Sequence, residues 1–140
     1  MDSEIKSAED KLIELKEVFL LFTDPLDKMA QLIDIGKKSH NLSENEKTDN
    51  NIIRGCTSKA WMVVTESPSN LYSIKTDSDS NIVSGLLYIF SLSVFNKDKE
   101  KIKELDAIKL LNSIGLGGHI TSQRTNGFIS AVETLKKRIS

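Results

Sequence analysis

Residues 59–76 read KAWMVVTESPSNLYSIKT, and this stretch decides the fold class. Ala60, Met62 and Val64 alternate with Trp61, Val63 and Thr65, the period of two that sends successive side chains to opposite faces of a strand. SPSN at 67–70 is a turn, because proline presets one backbone torsion while serine and asparagine bond to their own backbone. A second strand then runs from about Leu71 to Thr76, so the segment predicts an antiparallel hairpin. Ile52 to Arg54 are expected to pair with it as a third strand.

Outside the hairpin the period changes. DSNIVSGLLYIFSLSVF, 79–95, is apolar nearly all round, as in a helix packed on several sides, with Asp79 or Ser80 as its cap. Toward the N-terminus, Ile5, Ala8, Leu12, Leu15, Phe19 and Phe22 recur at spacings of three and four, one stripe of an amphipathic helix. Asp24-Pro25 supplies a cap acceptor and a proline whose missing N–H costs nothing at the first helical position. The helix it opens is expected to turn Leu26, Met29, Ala30 and Ile33 inward and to end near Ser39 to Asn41. His40 at that end needs no explanation beyond the preference of cations for helix C-termini. LSENEKTDNN, 42–51, has no apolar period and reads as an exposed loop. KDKEKIKE, 97–104, reads as a solvated face or loop, followed by a short helix through Ile108, Leu110 and Leu111. Gly115, Gly117 and Gly118 form a further loop, and Thr121 or Ser122 caps a last helix carrying Phe128, Val132, Leu135 and Ile139. Trp61, Phe128 and the row from Leu86 to Phe95 are assigned to the core. The expectation is one α+β domain spanning 1–140, a small antiparallel sheet of about three strands packed against several helices.

Composition excludes several functions. With 39% hydrophobic and 28% charged residues the chain is too apolar for a disordered one. Nineteen basic against 20 acidic residues leave no field to draw in nucleic acid or an anionic membrane. The longest apolar run, GLLYIFSLSVF, is broken by serines and falls short of the ~18 residues of a membrane span. The opening MDSEIKSAEDK carries acids where a signal peptide carries bases. A cytoplasmic chain without nucleic-acid or membrane partners is therefore expected. GLGG does not fit the dinucleotide fingerprint, and one cysteine with two histidines shows no metal-ligand spacing.

Cys56 is the one cysteine, so no intrachain disulfide forms. A free cysteine is commonly a small buried hydrophobe. Against that, Gly55 precedes it, Arg54 and Lys59 lie close, and the upstream segment is polar; cations lower a thiol's pKa, and the thiolate is the nucleophile. The residues themselves leave both readings open, and a nucleophilic reading admits a small cysteine hydrolase with His119 as base. For His119 by itself a hydrogen-bonding loop role suffices, for Arg124 a capping or surface ion-pair role, and for Asp79 a helix cap.

Three motifs in order, RGCTSKAW, DSDSNIVSGLL and GLGGHITSQRTNGF, resemble the SufE family of sulfur-acceptor proteins, and DPLDKMAQLIDIGKK is similar to that family's early helix. The resemblance spans nearly the whole chain. It implies a SufE/IscU-like fold and a partner of a pyridoxal-phosphate cysteine desulfurase (SufS-like) in iron–sulfur cluster assembly. It implies a sulfur carrier and desulfurase activator, not an enzyme in its own right, with no cofactor. Cys56 corresponds to the cysteine that takes persulfide sulfur and passes it to a downstream Fe–S scaffold complex. Asp79, His119 and Arg124 correspond to positions associated with the cysteine loop and with desulfurase docking. Ser122 stands where family members often carry proline, though either residue suits a first helical turn. An Fe–S scaffold is the other class weighed, and it would want several cysteines.

Overall fold

The structure, a computed structural model, describes the backbone of residues 2–140 and the surroundings of side chains from residue 7 onward. Helix α1 (Asp2–Leu21) buries Ala8 and Phe19 and half-buries Leu12 and Leu15, and Phe22 is half-buried one residue past its end. Those residues lie on the expected stripe; the place of Ile5 on it lies outside the described side chains. Asp24 caps α2 (Pro25–Lys37), accepting the Leu26 N–H at 2.9 Å, with Pro25 at the first position.

The inward face of α2 differs from expectation. Leu26 is 76% exposed and Ala30 is exposed, Met29 and Ile33 are half-buried, and the residues packed inside are Lys28, Leu32 and Gly36. The reason is the crossing with α3 (Asn81–Val94). A Cβ on Gly36 would overlap the Asn81 carbonyl, and one on Gly85 would lie 2.5 Å from the Leu32 carbonyl oxygen. Two glycines thus let the backbones touch, and the i, i+4 row ending at Gly36 faces inward. Hydrophobic counting misses that row because glycine carries no apolar weight and lysine carries charge. Lys28 is tolerated there because its Nζ donates to the Gly115 carbonyl at 2.6 Å.

Strands β1 (Ala60–Glu66) and β2 (Tyr72–Ser78) form the hairpin, registered from Ala60 opposite Ser78 to Glu66 opposite Tyr72. The turn closes through the Ser67 N–H, which donates to the Leu71 carbonyl at 2.8 Å, with Asn70 at φ +62°. Ala60, Met62, Tyr72 and Ile74 bury their side chains on the face toward α3. The expected third strand is reduced to one bridge, Ile52 to Trp61, with the Ile53 N–H donating to the Ala60 carbonyl at 2.8 Å. The sheet therefore has two strands among the described residues. Gly55, at φ +92°, turns the chain out of the ladder before a second rung can form.

Ser80, and not Asp79, caps α3, accepting the Val83 N–H at 3.4 Å. This helix buries Leu86, Leu87, Ile89, Phe90 and Val94 and forms the centre of the core. KDKEKIKE contains a short helix, α4 (Lys99–Lys103), capped by Asp98 and anchored by the buried Ile102. Then come α5 (Ala107–Ser113), where Leu111 is buried and Ile108 exposed, and α6 (Ser122–Ile139). Thr121 caps α6 by accepting the Arg124 N–H at 3.3 Å. Phe128, Val132, Leu135 and Ile139 line its buried stripe, and Phe128 meets Phe90 edge-on at 5.8 Å between ring centres.

Candidate functional site

The loop 54–59 is held at both feet. Ile53 is bonded to Ala60, while the Lys59 carbonyl accepts both the Ser78 hydroxyl at 2.7 Å and the Asp79 N–H at 3.1 Å. Between the feet, Gly55 lies against α6, where a Cβ would run into the Ser130 hydroxyl. Positive φ and close approach together require glycine before the cysteine.

Cys56 is half-buried, and its thiol donates to the Gly127 carbonyl at 3.5 Å. Gly127 is itself buried, and a Cβ there would stand 3.3 Å from Sγ, so α6 leaves out a side chain where the sulfur rests. Burial pushes the Cys56 thiol above its ordinary pKa. A carbonyl acceptor favours the protonated form in the same direction. The expected lowering by Arg54 and Lys59 is not what the structure holds, because desolvation governs the thiol.

The sulfur opens into a cavity of about 330 Å³. Val83, Leu86, Leu87 and Phe128 supply its apolar lining, and Thr57, Ser58, Thr121, Gln123 and Arg124 supply polar groups. The fold thus brings Arg124 to the same cavity as Cys56 across 68 residues of chain. Among the described residues its guanidinium forms no hydrogen bond or ion pair. Asp79 reaches the cysteine loop through its backbone N–H, with its side chain exposed. His119 is half-buried, donates its backbone N–H to the Leu116 carbonyl at 3.0 Å, and among the described residues has no partner for its buried Nδ1. Neither Asp79 nor His119 lines the cavity.

A second cluster escaped the sequence reading. The Asp77 carboxylate is fully buried and accepts from His40 Nδ1 at 2.6 Å, the Ser78 N–H at 2.8 Å and the Leu42 N–H at 3.4 Å, with Lys47 Nζ at 3.6 Å. His40 is raised above its ordinary value, first by its bond to Asp77 and then by its bond to Asn81. Both neighbours are acceptors, so the doubly protonated ring satisfies both. Lys47 also lies over the half-buried Trp61 at 5.5 Å. This cluster fastens the 40–47 segment onto the sheet just before the cysteine loop. The available signal was the strand alternation running on past Thr76, which puts Asp77 opposite Trp61.

The model of the SufE family, described as an Fe-S metabolism associated domain, matches residues 13–139. The chain belongs to the SufE family. An uncharacterized SufE-like protein of Rhizobium etli is 33% identical over 129 residues, 90% of this chain and 87% of that protein. A second SufE-like protein, from Rhizobium meliloti, is 31% identical over 79% of this chain and 81% of its own length. The solution structure of a hypothetical protein from Thermus thermophilus superposes with a TM-score of 0.68 at 14% identity, covering 92% of this chain and 93% of the other. That likeness concerns the fold alone. This SufE-family chain is thereby tied to iron–sulfur metabolism. Among the described residues no helix is long and apolar enough to cross a membrane.

Proposed function

We propose that this SufE-family protein takes sulfane sulfur onto Cys56 from the persulfide of a PLP-dependent cysteine desulfurase, stimulates that enzyme, and delivers the sulfur to an Fe–S scaffold complex in the cytoplasm. The observation that carries the reading is the family's cysteine motif on a loop pinned at both feet, with its thiol at the wall of a cavity. Transfer is attack by the Cys56 thiolate on the outer sulfur of the donor persulfide; the new S–S bond forms as the old one breaks, and the donor leaves as a thiolate. One acceptor cysteine is enough, and a second nearby would convert the product to a disulfide.

The geometry supports an acceptor that rests as a thiol. Because burial raises its pKa, Cys56 is poorly nucleophilic until docking moves residues 54–58 away from α6, and the clamps at Ile53 and Lys59 confine that movement to the loop. Arg124, at the cavity wall, and Asp79, beside the foot of the loop, are assigned to donor docking and loop support, with His119 in the segment leading into α6.

A Cys56–His119 hydrolase finds less support. The thiol is bonded to Gly127, and the His119 ring is not among the groups lining its cavity. A scaffold would draw on several cysteines, and the chain has one.

The test is desulfurase turnover with wild type and Cys56→Ser, followed by mass spectrometry of the wild-type protein. Stimulation by wild type alone, with added mass of whole sulfur atoms on Cys56, is the expected result. Equal stimulation by Cys56→Ser together with an unmodified Cys56 would remove the acceptor role.

A further inference from the structure

The thiol of Cys56 points inward, toward Gly127, and not outward toward a protein-sized donor. What meets it is a cavity of about 330 Å³, at the lower end of the ~300–1,000 Å³ range of small-molecule sites. The lining is divided in a useful way. Val83, Leu86, Leu87 and Phe128 offer an apolar bed for polarizable sulfur, and Arg124 brings a cation that has no partner among the described residues. A planar guanidinium is matched to a carboxylate in two-pronged geometry.

We infer that this cavity is a binding site for a small, carboxylate-bearing persulfide, the class to which free cysteine persulfide belongs, so that Cys56 can be loaded without a protein donor. The inference rests on the acceptor reading of Cys56. The carboxylate pairs with Arg124, the side chain lies over the apolar bed, and the outer sulfur meets Sγ. The Cys56 thiol gives up its proton to solvent, the thiolate attacks that outer sulfur, one bond forms between Sγ and the transferred sulfur as the donor S–S bond breaks, and the donor thiolate takes up a proton from solvent. No oxidant or reductant is consumed. This route needs no protein to draw the loop out for access. The thiol must still leave the Gly127 carbonyl and lose its proton, so loading should be slow near neutral pH and quicken as pH rises. A macromolecular donor must either thread a side chain into the cavity or draw the loop out.

The experiment incubates wild type, Arg124→Gln and Arg124→Lys with cysteine persulfide made in situ from sulfide and cystine, and with the persulfide of a thiol that lacks a carboxylate. A parallel arm uses a cysteine desulfurase with cysteine. Loading of Cys56 is followed by intact mass against donor concentration. The expected result is saturable loading by cysteine persulfide. Arg124→Gln should raise the half-saturating concentration about tenfold, the loss of one charge-assisted pair, with the maximal rate within a factor of two. Arg124→Lys should recover part of the loss, and the carboxylate-free donor should show no saturation. Loading that rises linearly with donor, or that is indifferent to the carboxylate and to Arg124, overturns the small-molecule site while desulfurase loading keeps the acceptor role standing. Failure of both arms would overturn the acceptor role as well.

Discussion

Removing the Asp77 carboxylate tests whether the cluster before the cysteine loop is structural. In Asp77→Ala the Ser78 N–H, bonded at 2.8 Å and buried, loses its acceptor, at about 1–3 kcal/mol for an unsatisfied buried group. The Leu42 N–H, at 3.4 Å, is a weaker bond and costs about half as much. His40 and Lys47, with side chains 39% and 23% exposed, can turn toward water, so each adds only the ~0–1 kcal/mol of a surface pair. The expected loss is about 3 kcal/mol. With a urea slope near ~2 kcal/mol/M, the unfolding midpoint by circular dichroism should fall by roughly 1.5 M. The His40 contribution fixes a sign. Its folded pKa lies above the ordinary value of 6.5, so its stabilisation is full below that pH and is lost as pH rises through the raised folded value. The penalty of Asp77→Ala should therefore be larger at pH 6 than at pH 9. A midpoint change under about 0.3 M, or a penalty that grows with pH, would refute the reasoning.

Three other outcomes follow from the same structure. Gly36→Ala places a methyl group inside the Asn81 carbonyl, and since backbone cannot step aside the α2–α3 crossing must open; thermal unfolding should show a loss of about 3 kcal/mol or more. Ser80→Ala should cost about 1 kcal/mol by removing the α3 cap, while Asp79→Ala should cost under ~0.5 kcal/mol; the reverse order in chemical denaturation would restore Asp79 as the cap. Alkylation of Cys56 by iodoacetamide should reach half its maximal rate at a higher pH in the folded protein than in the urea-unfolded chain, because burial raises the thiol's pKa. A lower midpoint in the folded protein would show that Arg54 and Lys59 outweigh desolvation.

What the sequence by itself determined is the local order. The period of two in 60–65, the turn at 67–70, the caps Asp24 and Thr121, and the apolar stripes of α1 and α6 are all set by neighbours within a few residues, which is the range over which backbone periodicity and capping act. The motif around Cys56 marked the candidate site for the same reason, since Gly55 and Cys56 are adjacent. Tertiary structure decided what depends on residues distant in the chain. Which face of α2 turns inward follows from two glycines 49 positions apart meeting at one helix crossing. The burial of Asp77 follows from a polar loop folding back over the sheet. Whether Cys56 rests as a thiol or a thiolate is set by Gly127 and the wall of α6, 71 residues away. Charge and hydropathy read along a chain carry no record of such approaches, and desolvation, the effect that sets the thiol's state, exists only once the chain has closed around it.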